Sequence, residues 1–300
     1  MKSQSKVLLV FLLIIAPGFM LAQTFVYLND TAFLELQGMQ YGSLQWQQSA
    51  DTITWTDITG ATSNNFPLVP SQSYFYRAKV NSGTCLPVYS DVTKIDVLTF
   101  HCGDTLIDFR DGRKYPTVQI GSQCWIAKNL DVGQQIVHGT KTQTNNDTIE
   151  KYCPYNDADS CEKYGGLYTW DEMMEYTEII GSRGICPCGW HVPSDQEWID
   201  LEITLGMDQA TANLYNTWRG TDQGTKLKIG GSSGYEALLS GCAIPGGYFS
   251  AVKMYEYMHS STPYGIYGWR RCLRTGDATV GRWNTFPKSY GLSVRCIKNQ

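Results

Sequence analysis

All ten cysteines of this 300-residue chain lie beyond an apolar N-terminal run, and nothing else in the sequence restricts its possible folds as much. Lys2 and Lys6 form a positive n-region, and Val7–Ile15 is an uninterrupted apolar stretch. Pro17–Gly18 interrupts it before Ala22–Gln23, the expected cleavage point, so residues 1–22 are expected to be a secretory signal. The run is shorter than the ~20 residues of a membrane span. With no cysteine near the cut, no lipoprotein anchor is expected, and no second hydrophobic span follows in the mature chain. An even cysteine count in an exported protein favours disulfides over metal ligands or redox thiols, and no C-x-x-C occurs.

Composition fits that compartment. Charged residues make up only 17%, while 29 Gly, 19 Tyr and 9 Trp point to a loop-rich β or α+β protein. Removing Lys2 and Lys6 shifts the net charge from −4 to −6, and there is no Lys/Arg cluster. A nucleic-acid partner is therefore not expected.

Order along the chain suggests two domains. Residues 24–98 carry short alternating runs, Leu44–Gln48 around Trp46 and Tyr74–Val80, separated by turns at Gly60 and Asn81–Gly83. About seven such strands suit an all-β sandwich with Trp46 as the central ring. Leu98–Asp104 reads as a linker, and residues 102–300 as a second, α+β domain. Asp111–Gly112 marks a hairpin turn. A helix is expected to open at Trp170–Met174 and end before Gly181. The pattern around Leu227 and Ile229 predicts a strand, as do Ala237–Leu239, Gly268–Leu273 and the terminal Leu292–Ile297. The clearest local signal is Ser194-x-x-Glu197, a capping box after Pro193, followed by Trp198, Leu201 and Leu205 on one helical stripe.

Two resemblances follow from quoted stretches. SLQWQQSADTITWTDITGATSNNF with SQSYFYRAKVNSGTCLPVYSDV resembles the Ig-like modules of exported bacterial surface proteins. On that resemblance Tyr74 stands at a tyrosine corner and Tyr76 at the position of the second sandwich cysteine, so the inter-sheet disulfide is absent. D-x-R-D-G-x-x-Y-x-T-V-x-I-G-x-Q-x-W, EKYGGLYTW, CPCGWHVPSDQEW and YGLSVRC occur together and in that order over Cys102–Lys298. The set resembles the Fibrobacter succinogenes major paralogous domain, a family of exported bacterial proteins similar to C-type-lectin-like domains and formylglycine-generating enzymes. The resemblance implies a compact α+β domain with long loops and disulfides, and no general activity. It also implies a bond from Cys186, ahead of the capped helix, to Cys296 near the last strand. That bond closes a loop of about 110 residues, worth roughly 4–5 kcal/mol in the chain-entropy model. Cys153–Cys161, Cys102–Cys124 and Cys242–Cys272 are further pairing candidates, with connectivity left open by sequence. Cys85 and Cys188 remain over. A Cys85–Cys102 bond is excluded by the ~33 Å length of the strand between them.

Other chemistry is weaker. Cys186, Cys188 and His191 have the residue types for zinc but lack its spacing and a fourth ligand. Asn156, Asp157, Asp159 and Glu162 lack the glycine and distant Glu of a calcium loop, and the sugar-binding triplets EPN, QPD and WND are absent. GGSSG (230–234) matches G-x-S-x-G but is expected to precede a strand rather than a helix. His101, His138, His191 and His259 propose no base. Four D-T-apolar triplets, beginning at Asp30, Asp51, Asp104 and Asp147, match a kind of O-glycosylation signal, with chance as the default explanation. No cofactor or catalytic residue is expected. The late third is rich in rings, and Tyr255, Tyr257, Tyr264, Tyr267, Trp269 and Trp283 are the candidate ligand-binding aromatics. The expected function is non-catalytic recognition of a glycan or another protein at the cell surface or outside the cell. The alternatives are an enzyme distantly related to the formylglycine-forming oxidases and a purely structural surface component.

Overall fold

The computed structural model describes residues 6–9, 22–37, 42–83 and 86–299. The chain divides into two compact units, residues 3–100 and 101–300. It is mostly β, built from several sheets with few and short helices. Among the described residues no helix is long and apolar enough to cross a membrane.

The N-terminal unit contains β1 (Lys6–Leu9), β2 (Ala22–Tyr27), β3 (Ala32–Leu36), β4 (Ser43–Ser49), β5 (Thr56–Asp57), β6 (Asn65–Leu68), β7 (Tyr74–Asn81), β8 (Val88–Tyr89) and β9 (Thr93–Leu98). One sheet has the order β1-β3-β6. The other has β2-β9-β7-β4-β5, with β8 beside β7. Alternation along each strand sends every second side chain inward. Leu34 and Leu36 from one sheet therefore meet Leu44, Trp46, Tyr76, Ala78 and Ile95 from the other in a single core. Trp46 is fully buried, and its indole N–H donates to the Ser63 carbonyl at 3.0 Å. The Tyr74 hydroxyl accepts from the Gln72 side-chain amide at 2.5 Å. Most of the expected signal segment, residues 1–5 and 10–21, lies outside the described residues, as does Cys85.

In the C-terminal unit one sheet runs β10 (Thr105–Asp108), β11 (Arg113–Ile120), β12 (Gln123–Ile126), then β22 (Ile297–Lys298) and β15 (Trp190–His191). Two-residue strands β13 (Gln134–Gln135) and β14 (Glu150–Lys151) pair with each other, and α1 (Ala158–Tyr164) and α2 (Trp170–Met173) follow. Next come α3 (Asp195–Thr204), α4 (Gln209–Asn213), β16 (Thr217–Arg219) and α5 (Gln223–Leu227). A small hairpin joins β17 (Cys242–Ile244) to β18 (Tyr248–Ser250). The second large sheet has the order β16-β21-β20-β19, with β19 spanning Tyr255–Tyr264, β20 Tyr267–Arg274 and β21 Val280–Trp283.

Helix α3 forms where the capping box requires. The Glu197 N–H donates to Ser194 Oγ at 3.2 Å, and the Ser194 N–H donates to Glu197 Oε2 at 2.7 Å. Trp198 and Leu201 are fully buried in a core with Trp125, Tyr235, Met258, Leu273, Val280 and Ile297, and Leu205 packs at its edge. On the same helix Asp195 and Glu202 face the second sheet and meet three buried arginines. Arg219 donates to both Glu202 oxygens at 2.6 and 2.9 Å. Arg271 reaches Glu202 Oε1 at 2.6 Å and Asp195 Oδ1 at 2.5 Å, and Arg282 reaches Asp195 Oδ2 at 2.5 Å. Cys186–Cys296 fastens the segment ahead of α3 to the residue before β22, across 110 positions. Cys102–Cys124 and Cys153–Cys161 are also bonded.

Several expectations are corrected. Cys242 and Cys272 are separate thiols. Gly241 bridges Glu256 on one edge of β19, while Cys272 pairs with Tyr257 on the other. A whole strand thus intervenes, a separation near ~10 Å where a disulfide needs Cα atoms within about 6.8 Å. No strand forms at Leu227–Ile229: α5 ends at Leu227, which is buried, and Ile229 lies exposed in the turn that follows. Gly224 allows this helix to press on the β20–β21 turn, since a Cβ there would lie 2.1 Å from the Thr279 carbonyl. Ala237–Leu239 makes one bridge rather than a strand, because Glu236 and Leu239 adopt positive φ (59° and 55°). Positive φ at Glu175 and Tyr176 likewise ends α2 after one turn, well short of Gly181. The terminal run pairs as a strand only at Ile297–Lys298.

Candidate functional site

Successive residues of a strand point to opposite faces, and directly paired residues share one. The register of the second sheet therefore sorts its side chains. Pairing of Tyr255 with Arg274, Tyr257 with Cys272, His259 with Arg270, Cys272 with Gly281 and Arg270 with Trp283 puts all of these on the face away from α3. Trp218 joins them through its pairing with Gly281. That glycine is required: a Cβ there would lie 3.1 Å from the Cys272 Cβ and 3.4 Å from the Trp218 ring.

Rings cover this outer face. Tyr255 and Tyr257 are parallel within 2°, with centroids 5.5 Å apart. Trp218 stands 6.3 Å from Tyr255 and 5.5 Å from Trp283, while Phe286 lies 5.3 Å from Tyr257 and 4.9 Å from Tyr290. All six rings are half-buried, presenting part of each to solvent. Arg274 lies over Trp218 at 4.3 Å and pairs with Asp277.

Beneath the rings sits Arg270, only 3% exposed. Its guanidinium carbon is 3.5 Å from the Phe286 centroid, and Nε and Nη1 have no hydrogen-bond partner. Burial pulls its pKa down, against the opposing pull of the adjacent Cys272. The same burial pushes the Cys242 and Cys272 thiols up to about 11, so both are protonated at neutral pH. His259, beside them, is pulled down to about 4 by burial. Contact with Phe286 supplies about 0.5–2 kcal/mol. Desolvating a lone cation costs several kcal/mol. Arg270 is therefore under-compensated, unlike Arg271 next to it.

Apart from this face, a concavity of about 380 Å³ is lined by His138, Lys141, Tyr152, Asp171, Tyr176, Ser289 and neighbours. Six of its thirteen lining residues carry a hydroxyl. Burial raises the Asp171 pKa, opposed by Lys288. The segment 286–290 borders both features, giving Phe286 and Tyr290 to the ring-covered face and Ser289 to the concavity.

The six aromatics singled out in the sequence do not form one surface. Tyr255, Tyr257 and Trp283 share the outer face. Trp269 belongs to the opposite side, where it meets Tyr215 at 5.7 Å, Tyr264 at 6.0 Å and the Arg282 guanidinium at 4.2 Å. Tyr267 pairs with Tyr264 at the hairpin tip and bridges Pro287. Trp218, Phe286, Tyr290 and Arg270 were missed: three come from other segments, and only strand register places Arg270 opposite Trp283.

The remaining motif residues are structural. Cys186 is bonded to Cys296, and His191 is held by Glu197 (2.8 Å) and Asn299 (2.7 Å). Asp157 caps α1 and Asn156 binds His138. Among the described residues no group of three or more His, Cys, Asp or Glu could hold a metal. GGSSG follows α5, and Ser233 Oγ donates to the Lys226 carbonyl at 2.6 Å. In the D-x-R-D-G stretch, Arg110 binds Asp108 and donates to the Ile185 carbonyl at 2.9 Å, beside Cys186. In YGLSVRC, buried Arg295 donates to Asn129 Oδ1 and to the carbonyls of Ile126, Tyr235 and Glu236. Asn129 donates in turn to Glu256 and Ser293.

Comparison with known families gives two matches. The model of the Fibrobacter succinogenes major domain matches residues 118–298. A domain of unknown function, DUF8696, matches residues 18–99. No curated protein matches the chain.

Proposed function

The chain belongs to the Fibrobacter succinogenes major domain family, and from that premise we propose that it is an exported, non-catalytic recognition protein whose C-terminal unit binds a glycan on the ring-covered outer face of β16-β21-β20-β19. The observation that carries this is the pair Tyr255 and Tyr257, parallel within 2° and partly exposed, with Trp218 beside Tyr255 and Trp283 beside Trp218. Aromatic rings with one apolar face and a polar edge suit the alternating C–H and O–H surface of a sugar.

Further features support the reading. The N-terminal unit is an Ig-like spacer in this proposal, on the strength of its two sheets closed around Trp46 without a disulfide. A C-type-lectin-like fold for the C-terminal unit is supported by the disulfide that fastens α3 to the chain terminus and by its long irregular loops. The two buried thiols stand on either side of β19 with pKa values near 11, a poor arrangement for oxidase chemistry.

The test is a glycan array probed with the full chain, alongside Trp218→Ala and Tyr257→Ala. Hits that the two variants lose together support the site. A flat array from a folded protein would redirect the assignment to a protein partner or a structural role.

A further inference from the structure

We propose that Arg270 makes this outer face selective for acidic glycans, its guanidinium receiving a carboxylate or sulfate while the sugar ring lies on the neighbouring aromatics. The inference rests on the glycan reading and adds the ligand's charge to it.

Arg270 is the exception among the buried arginines. Arg219, Arg271 and Arg282 each bond a carboxylate, and Arg295 bonds an amide oxygen and three carbonyls. Arg270 is as buried as these, yet no ion pair to it forms among the described residues, and Nε and Nη1 stay unpartnered. Its surroundings supply no negative charge at pH 7. Cys242 and Cys272 are protonated thiols, Tyr257 is a phenol with its pKa raised by burial, and His259 is neutral. A buried cation without a counter-ion costs stability, and an anion arriving with a ligand would remove that cost.

The ring that covers Arg270 stands outside the paired strands. Phe286 lies on an irregular segment between β21 and β22, whereas Tyr257 and Trp283 are fixed on paired strands. Outward rotation of Phe286 exposes the guanidinium between rings already placed to hold a pyranose. Arg274, the other cation on this face, is already paired with Asp277 and serves as the internal control.

The test uses the full chain and matched glycans: oligogalacturonate against its methyl ester, and a sulfated glycosaminoglycan fragment against its desulfated form. The acidic member of at least one pair should bind roughly 10–100-fold more tightly than its neutral counterpart. Which pair responds identifies the anion as carboxylate or sulfate. Arg270→Gln should abolish the preference with an unchanged or raised Tm, Arg270→Lys should retain part of it, and Arg274→Gln should leave it within about twofold. Phe286→Ala, which uncovers Arg270 without altering it, should keep the preference. Equal binding of acidic and neutral members overturns the inference while leaving glycan recognition standing; binding to no glycan defeats both. A preference that survives Arg270→Gln, or a Tm loss in that variant as large as that of Arg271→Gln, overturns it as well.

Discussion

Arg270 and Arg271 are sequence neighbours on β20 and face opposite sides of one sheet. Toward α3, Arg271 is fully buried and bonded to both Asp195 and Glu202. Away from α3, Arg270 is almost as buried and has rings and thiols for company. The inner face holds an ionic joint in which the Asp195 and Glu202 carboxylates each have guanidinium partners. The outer face leaves one charge uncompensated beneath partly exposed aromatics. The difference separates side chains that hold the fold from those that the proposed recognition would use.

The largest expected effect tests the joint. Replacing Cys186 and Cys296 together by Ser releases a closure of 110 residues, a loss of about 4–5 kcal/mol in the chain-entropy model. Thermal unfolding of the oxidised double variant against the native chain measures it. A change under about 1 kcal/mol would mean that packing around Trp198 and the Asp195/Glu202 network holds α3 without the bond.

Next comes the direct contrast across the sheet. Arg271→Gln removes the guanidinium shared by Asp195 and Glu202, leaving Asp195 to Arg282 and Glu202 to Arg219, and is expected to cost about 1.5–3 kcal/mol. Arg270→Gln strands nothing and is expected to leave stability level or improve it. Equal losses in a denaturant titration would erase the distinction between the two faces. A smaller effect follows at the cover. Trp218→Ala removes the ring packed on Gly281, the β21 residue that pairs with Cys272, so peptide mapping after thiol labelling should show faster modification at Cys272 than in the native chain. An unchanged rate would place the shielding of that thiol elsewhere.

How much of this the sequence revealed depended on the range of each interaction. Ser194 and Glu197 are three residues apart, so the capped helix and its Trp198/Leu201 stripe were readable locally. Trp46 and its flanking alternation were readable for the same reason. The Cys186–Cys296 bond was implied only through family resemblance, and Cys242–Cys272 was misplaced because nothing local shows β19 passing between them. Leu227 and Ile229 imitate a strand until Gly224 presses that segment onto Thr279 as a helix. The outer face was half legible: Tyr255 and Tyr257 alternate visibly, but Trp218, Phe286 and Tyr290 come from distant segments. The orientation of Arg270 depends on register, which no single stretch encodes.

The smallest expected effect concerns the start of α3 and is read by pH. His191 Nε2 and Glu197 Oε1 are 2.8 Å apart, and Glu197 also accepts from the Ser194 N–H. Burial alone would raise the Glu197 pKa, but His191 and Ser194 hold it below its ordinary 4.5. Burial alone would lower the His191 pKa, but Glu197 and Asn299 hold it above its ordinary 6.5. A carboxylate with a depressed pKa contributes stability that is present above 4.5 and lost as pH falls through the depressed value. A histidine with a raised pKa contributes stability that is complete below 6.5 and lost as pH rises through the raised value. The pair should therefore stabilise most between about pH 4.5 and 6.5. Glu197→Gln removes both charge-dependent limbs and weakens the cap, a loss of about 1 kcal/mol within that window. The difference in unfolding free energy between native and variant, followed from pH 3 to pH 9, should be a shallow hump over the window. A flat difference would show the contact to be a neutral cap bond, leaving the ionic joint behind α3 as the source of its attachment.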